Sequence, residues 1–589
     1  MTIGALSVSL GDDAAAQARA TRSFEQQGFV ASFRRQWSGG AVQLWLNRDR
    51  DETATAVQTS HGAACSVGPL WYRGAFGAAA LERLLLDAMV GGDPAQGVDA
   101  RAPGIDETAL RGNFALFLET QRGRWLLNDP LGFVRIHRSA DGNFHGTSWL
   151  ATRAYAGASA LDEGAAAEYV LLGASHSERT PFAGVTRLPL GSCVDLQTKE
   201  DRPRFAHGLV PVPYLRYASF DEAVEAIGAQ LATTFGEIAA AFPGRTSAAL
   251  SGGFDSRLIV AALLAKGERP RLFVYGPDTS DDVRIAREIA NGEQLPLRCI
   301  DKATMSEPLR ECEVEDLVRN ALFFDGLPND GIDDRGADRL TRLEQNADGF
   351  IALNGGGGEI FRNFFHLPDR EYRPIDIVRA FYRGFDPRVF RVAGGLAGYE
   401  GRMAESIARA VGLAASDDPA RQRMTREQVE LVYPFFRCHH WMGVNNSLSI
   451  RYGHFATPLV DLQLVRQAVA LPLAWKSAGA FESRLIAARH AGVARHGSSY
   501  GFRIADGPDA RARRSEWLHG LRPAALRPHI AGLGRRLRRD RVSPERIAKW
   551  RARLPGEWRL DPVLDLARLS ADGAFERALS VEIVARELA

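Results

Sequence analysis

The stretch Thr246-Ser-Ala-Ala-Leu-Ser-Gly-Gly-Phe-Asp-Ser-Arg-Leu-Ile-Val260 constrains this chain more than any other. A short apolar run (Ala248, Ala249, Leu250) breaks at Ser251-Gly252-Gly253, and apolar residues resume at helical spacing through Leu258, Ile259, Ala262 and Leu263. That pattern predicts a strand, a tight turn and a helix start. Two glycines allow positive φ and a close backbone approach, so successive N–H groups at the positive end of the helix can form a concavity for an anion of several oxygens. Ser251 and Ser256 add hydroxyl donors, whereas Asp255 fits beside a phosphate only with a divalent cation between them. The turn reads as a cradle for pyrophosphate and magnesium, with Leu250, Ser251, Gly252, Gly253, Asp255 and Ser256 as its candidate residues. The plainer alternative is a strand-to-helix turn capped by Asp255 and Ser256. The stretch lacks the G-K-[ST] of a Walker loop, so γ-phosphoryl transfer is not what it implies.

Further elements follow the same plan. Residues 220–242 carry helical spacing after an Asp221-Glu222 start and lead into the strand. Residues 271–275 and 296–300 read as short strands with a capped helix over 280–290 between them. Such alternation predicts a parallel sheet with crossover helices, whose ligands gather at the carboxyl ends of the strands. Ile351-Ala-Leu-Asn-Gly-Gly-Gly-Gly-Glu-Ile-Phe361 repeats the theme of an apolar strand entering a glycine turn with a carboxylate. Residues 1–205 instead show short β-type runs, such as Ala41-Val-Gln-Leu-Trp-Leu46 and Phe114-Ala-Leu-Phe-Leu118, divided by Gly, Asn and Asp. A linker is expected at 203–213, where Pro and Gly interrupt any periodicity.

At 589 residues the chain is too long for one core. A net charge near +2 argues neither for nor against a charged partner. There is no apolar run of about 20 residues and no basic-then-apolar start, so a cytoplasmic protein without a membrane partner is expected. The five cysteines (Cys65, Cys193, Cys299, Cys312, Cys438) have no paired spacing and are read as small buried apolar residues. Residues 505–560 are rich in arginine (Arg513, Arg514, Arg535, Arg536, Arg538, Arg539, Arg541), with Trp517 and Trp550 interspersed. Solvated helix faces are preferred there to a nucleic-acid patch, with docking of a peptide substrate as the intermediate case.

The segment Ser251-Gly-Gly-Phe-Asp-Ser256 resembles the PP-loop of ATP pyrophosphatases, which cleave ATP between the α and β phosphates. Upstream, Gly112-Asn-Phe-Ala-Leu-Phe117, Asn128-Asp-Pro-Leu-Gly-Phe133 and Phe182-Ala-Gly-Val-Thr-Arg-Leu-Pro-Leu-Gly191 resemble, in order and spacing, the glutaminase domain of the asparagine synthetase family. The resemblance implies a mixed α/β and α+β chain of two domains. Residues 1–205 would form a glutaminase-like (Ntn-type) αββα sandwich, and 215–589 a PP-loop adenine-nucleotide hydrolase-like parallel sheet with helices. It also implies ATP and Mg2+ as cofactors, with Asp255 and Glu359 as metal ligands, Gly355, Gly356 and Gly357 in the second glycine turn, and Val274 and Tyr275 lending backbone groups to adenine. Matching the later Phe361 rather than the glycines would put Gly358 at the second ligand position; the glycine register, which keeps a carboxylate, is favoured.

Departures from the family narrow the reading. Thr2 stands where the family has its nucleophilic cysteine, and Arg73-Gly-Ala75 where it holds glutamine with N-G-E, so the first domain is expected to lack ammonia chemistry. After Phe455-Ala-Thr-Pro-Leu-Val-Asp461, Lys476 matches the family's first lysine, but Glu482 replaces the second. Lys476, Arg257 and Arg484 are therefore the candidates for stabilising charge in the transition state. Gly356 occupies the place where β-lactam synthetases carry a tyrosine. The combination is most similar to the lasso peptide macrolactam synthetases, which adenylate an Asp or Glu side chain of a precursor peptide and close it onto the N-terminal amine. Implied partners are the precursor peptide, a leader peptidase and its leader-binding domain, with no nucleic acid. His439, His440 and Asp325 are the candidates for the base. A small-molecule amide ligase and a peptide-binding pseudoenzyme are the alternatives.

Overall fold

The computed structural model describes residues 2–48, 54–92, 101–202, 216–305, 312–330, 332–413, 418, 421–523, 526–527, 530, 541–570 and 573–588. The linker expected at 203–213 lies outside the described residues, as do Arg535, Arg536, Arg538 and Arg539.

The N-terminal part is built on two antiparallel sheets. One has six strands in the order Val185–Arg187, His137–Ser139, Phe144–Gly146, Gly4–Leu10, Gly40–Asn47, Phe29–Trp37. The other has five, in the order Cys193–Asp195, Gly123–Asn128, Ala115–Thr120, Gly62–Val67, Ala56–Thr59. Side chains alternate across each strand, so a single strand feeds two layers. Leu6 and Val8 face Val67, Ala115 and Phe117 between the sheets, while Ala5 faces outward onto Ala16, Ala20 and Phe24 of the helix Ala14–Gln26. Likewise Leu116 and Leu118 face Leu81, Leu84 and Leu85 of the helix Ala78–Ala88. Helices thus cover both outer faces of a pair of stacked sheets.

The C-terminal part holds a five-stranded parallel sheet in the order Leu297–Ile300, Arg271–Tyr275, Thr246–Ala249, Ile351–Leu353, His454–Ala456. The chain moves outward from Thr246–Ala249 through two strands, then returns to its other side at Ile351–Leu353. The order reverses there, and the carboxyl ends of those two strands diverge to leave a crevice for a ligand. The helix Phe254–Leu264 that leaves the central strand is buried from Phe254 through Leu263, in keeping with a sequence apolar on all sides.

Packing crosses the boundary expected from sequence. Trp71, Leu131 and Phe133 of the N-terminal part share a core with the helices around the parallel sheet. The last helix, Ala574–Glu587, packs with Trp149, Tyr169, Val170 and Phe182, far back in the chain. Trp550 is 3% exposed in that same core, with Arg553 over its ring, so this end of the arginine-rich region is structural. The helix Ala510–Gly520 buries none of its residues, which matches the expected solvated face, and Trp517 on it is 62% exposed. Cys65, Cys193 and Cys438 are buried and Cys299 and Cys312 half-buried. Among the described residues no helix is long and apolar enough to cross a membrane.

Candidate active site

The turn after Thr246–Ala249 does not take the positive φ that its glycines allow: Gly253 has φ −79°, and Gly252 is needed instead for close approach, since a Cβ there would run into Ser499. Gly252 N–H donates to the Asp282 carboxylate (2.8 Å), Gly253 N–H to Ser251 Oγ (3.2 Å) and Ser251 N–H to Ser256 Oγ (3.0 Å). The amides of residues 251–253 are thus each taken by a side-chain oxygen of the protein, one of them anionic. Leu250, by contrast, is buried and donates its N–H to Phe273 O (2.8 Å), fixing the strand end.

The second glycine turn meets the first across the crevice. Gly355 lies against Ser256, where a Cβ would sit 3.2 Å from that serine's Cβ. Gly356 faces the Met442 side chain. Gly357 has φ +105° and no room for a Cβ beside Val460, so only glycine serves there. Gly358 donates its N–H to Asp255 Oδ2 (3.1 Å).

Three carboxylates converge beyond these turns. Glu359 accepts from Gly357 N–H (3.1 Å) and from the Tyr433 hydroxyl. Arg362, one turn after Glu359, ion-pairs with Asp255, with Glu482 (3.0 Å) and with Glu359 (3.6 Å). Glu482 is fully buried, and neither of its oxygens has an aligned hydrogen bond. A side chain at position 358 would run into Glu482 and Asp255. Thus the glutamate occupies the space that glycine leaves.

Burial pushes the Asp255 carboxyl well above the usual range, with Arg362 opposing the shift, and pushes Glu482 up to about 7. Burial would raise Glu359 as well, but its bond to Asp255 and the nearby Arg362 hold it below its ordinary value. The Arg362 guanidinium, which burial alone would weaken as a cation, is held well above its ordinary value by Asp255 first and then Glu482. The cluster therefore carries both negative charge and a fixed cation within ion-pair reach.

A divalent cation fits the donor set in part. Asp255 and Glu359 supply hard oxygen ligands on one locus, and Mg2+ is commonly held by one or two carboxylates plus phosphate oxygens rather than by an all-protein cage. Among the described residues no group of three or more His, Cys, Asp or Glu side chains is arranged to hold a metal alone.

The site opens into a cleft of about 810 Å³. Phe254, Phe364, Tyr500 and Phe502 form apolar walls, and Arg362, Glu516 and His519 add charge. Tyr500 stacks on Phe254 with ring centroids 4.3 Å apart, and its hydroxyl accepts from Arg362 (3.1 Å).

Several residues expected at the site lie elsewhere. The Arg257 guanidinium donates to the backbone carbonyls of His496 (3.2 Å) and Gly497, clamping a loop. Arg484 is on the surface, its side chain 54% exposed and 3.4 Å from Asp221. Lys476 is buried and bound to Glu430 (2.6 Å), which also pairs with Arg426; burial lowers the lysine's pKa. Neither this lysine nor those two arginines touches Asp255 or Glu359. Val274 is buried in its strand and Tyr275 is half-exposed at the carboxyl end of the same strand, its hydroxyl accepting from Gln345.

The candidate bases are likewise engaged at the seam with the N-terminal part. His439 Nδ1 lies 2.9 Å from Leu131 O and His440 Nδ1 lies 2.7 Å from Arg187, while burial pushes both rings far below their ordinary pKa. Asp325 accepts from Ser148 Oγ (2.6 Å) and Trp149 N–H (2.6 Å), capping a helix, and pairs with Arg451 (3.2 Å). A charged side chain buried in the chain's interior seeks the nearest partner, and spacing in sequence does not say which. Arg362, Tyr433 and Tyr500 were missed for the same reason. The only signal for Arg362 is its i+3 spacing from Glu359, which puts both on one face of a helical turn.

No family model matches the chain, and no curated protein matches it.

Proposed function

We propose that the chain is an ATP-dependent macrolactam (isopeptide) synthetase, which adenylates an Asp or Glu side chain of a precursor peptide and closes it onto that peptide's N-terminal amine. The observation that carries this reading is the convergence of a glycine turn and the Asp255–Glu359–Glu482 carboxylates at the reversal of a parallel sheet, opening into a cleft of about 810 Å³. On this reading the N-terminal sheets are a glutaminase-like scaffold and the parallel sheet a PP-loop nucleotide domain. A cleft of this volume, walled by aromatic rings, suits a peptide better than an amino acid.

Magnesium, held by Asp255 and Glu359, would neutralise charge on the phosphates. The chain's own residues do the rest. Gly252, Gly253, Ser251 and Ser256 orient phosphate oxygens. Arg362 supplies the cation that Glu482 removes from the lysine position, while Glu482 adds a third carboxylate beside Gly358. Phe254, Tyr500 and Phe502 hold the peptide with its amine against the activated carboxyl, converting an entropically costly ring closure into an oriented unimolecular step.

The test is mass spectrometry of a precursor peptide after incubation with the protein, a leader peptidase and Mg-ATP, with AMP followed in parallel. A core peptide lighter by one water together with AMP is the expected result. AMP released only with small amino or carboxylic acids would replace this reading with a small-molecule ligase. The second reading, a peptide-binding pseudoenzyme, is favoured by one feature: Arg362 already neutralises the carboxylates a metal would use. It predicts peptide binding without AMP under any condition.

Thr2 is no part of this chemistry. Its Oγ1 accepts from Thr55 N–H (2.7 Å), and the residue is buried. Thr2→Ala is expected to leave AMP formation unchanged and to lower stability by only about 1 kcal/mol, the worth of one hydrogen bond. Chemical denaturation with a parallel AMP assay checks both.

A further inference from the structure

At the seam between the two parts, His137 and Arg187 face each other across the pairing of His137–Ser139 with the edge strand Val185–Arg187, with Arg135 just before the first of these strands. Arg187 is 4% exposed and its Nη2 donates to Ser175 O (3.3 Å) and Ser177 O and meets His440 Nδ1 (2.7 Å). The Arg135 Nη2 donates to His440 O. All of these partners are neutral, and among the described residues neither arginine makes an ion pair. The Nε atoms of both arginines and Nδ1 of His137 are buried with no hydrogen-bond partner.

Uncompensated buried cations are costly, and proteins ordinarily pair them. The nearby acids are committed elsewhere: Asp325 to Arg451 and a helix N-terminus, Glu168 to Arg402 (3.0 Å), Glu178 to Arg409 (3.4 Å). The cost is visible in the groups themselves. Burial lowers the Arg187 pKa to about 10 against the opposing charges of Glu178 and Glu168, and burial followed by the charge of Arg187 holds Arg135 well below its ordinary value. Arg135, Arg187 and His137 line a cavity with Ser175, Thr180 and Ser447, as do Asp325, paired with Arg451, and Arg179, paired with Asp162; its volume is about 60 Å³. That is room for roughly four or five water-sized groups, too little for a nucleotide.

We infer that this cavity binds a free tetrahedral oxyanion of the phosphate class between Arg135 and Arg187. Guanidinium forks match the oxygens of such an anion, and charge-assisted bonds from two of them would satisfy donors the fold leaves idle. The site is separate from the Ser251–Ser256 turn and does not rest on the reaction proposed above. The π-helical segment Tyr433–Met442 carries His440 against Arg187 and Tyr433 against Glu359.

Thermal unfolding and isothermal titration of the whole chain with inorganic phosphate, in Mg- and ATP-free buffer at constant ionic strength set by chloride, test this. Phosphate is expected to raise Tm saturably. Arg135→Gln should weaken phosphate binding at least tenfold, and His137→Phe, which keeps the ring volume, should weaken it several-fold should the arginine variant fail to fold. A Ser251→Ala/Ser256→Ala double variant should retain the phosphate effect. Loss in that double variant with retention in Arg135→Gln would place phosphate at the turn and overturn the inference. No response to phosphate or sulfate in the unmodified chain would overturn it as well.

Discussion

Asp255→Ala is expected to lower AMP formation by ~10³-fold or more, because a carboxylate that positions a metal against phosphates contributes several kcal/mol of charge stabilisation. The fold should survive. Arg362 keeps Glu482 and Glu359 as partners, and removing a carboxyl that burial already disfavours in its charged form relieves a desolvation cost. The pair of measurements is AMP release with Mg-ATP and peptide, and thermal unfolding of the same preparation. A well-folded Asp255→Ala protein that still turns over would remove the turn from the chemistry.

The second large effect concerns Arg362. Arg362→Met leaves Asp255 and fully buried Glu482 without their shared cation, a loss expected to cost about 3–5 kcal/mol of stability, as for other buried pairs broken from one side. Adding Glu482→Gln should recover much of that loss but not turnover, since the cation that the proposed reaction needs beside the phosphates would still be missing. Recovery of turnover in the double variant would reduce Arg362 to a structural counter-ion.

Protonation gives the same cluster a pH signature. Burial raises the Glu482 pKa from 4.5 to about 7, so the folded state holds this proton more tightly than the unfolded chain does. Its contribution to stability is therefore present in full below about pH 4.5 and is lost as pH rises through about 7, on the order of 3 kcal/mol over the window. Denaturant unfolding without Mg2+ should show stability falling over this range, and Glu482→Gln should flatten the slope. An unchanged slope would mean that Glu482 is charged throughout.

Local pattern was legible wherever the physics is local. The strand, glycine turn and helix at 246–264 form because apolar periodicity changes at two glycines, and neighbouring residues alone decide that. The same holds for Gly355–Gly357 after Ile351–Leu353, and for the alternating strands before residue 205. Pairing the turns at one crevice also follows from alternation of strand and helix. What did not follow was the fate of individual charges. Lys476, Arg257, Arg484, His439, His440 and Asp325 were eligible by type or position, yet each found its partner in an element remote in sequence.

The amino-acid sequence by itself determined the elements and the two glycine turns with Asp255 and Glu359, because backbone freedom and hydrophobic period are properties of a few consecutive residues. Only the tertiary structure decided that Arg362 and Glu482 complete the carboxylate cluster, that Trp550 belongs to a core with Tyr169 and Phe182, and that Arg135 and Arg187, neither of them ion-paired among the described residues, line one cavity. The physical reason is that a buried charge is stabilised by whichever groups packing brings within a few ångströms, and residues 107 or 52 positions apart, as Asp255–Arg362 and Arg135–Arg187 are, meet through the fold of the whole chain.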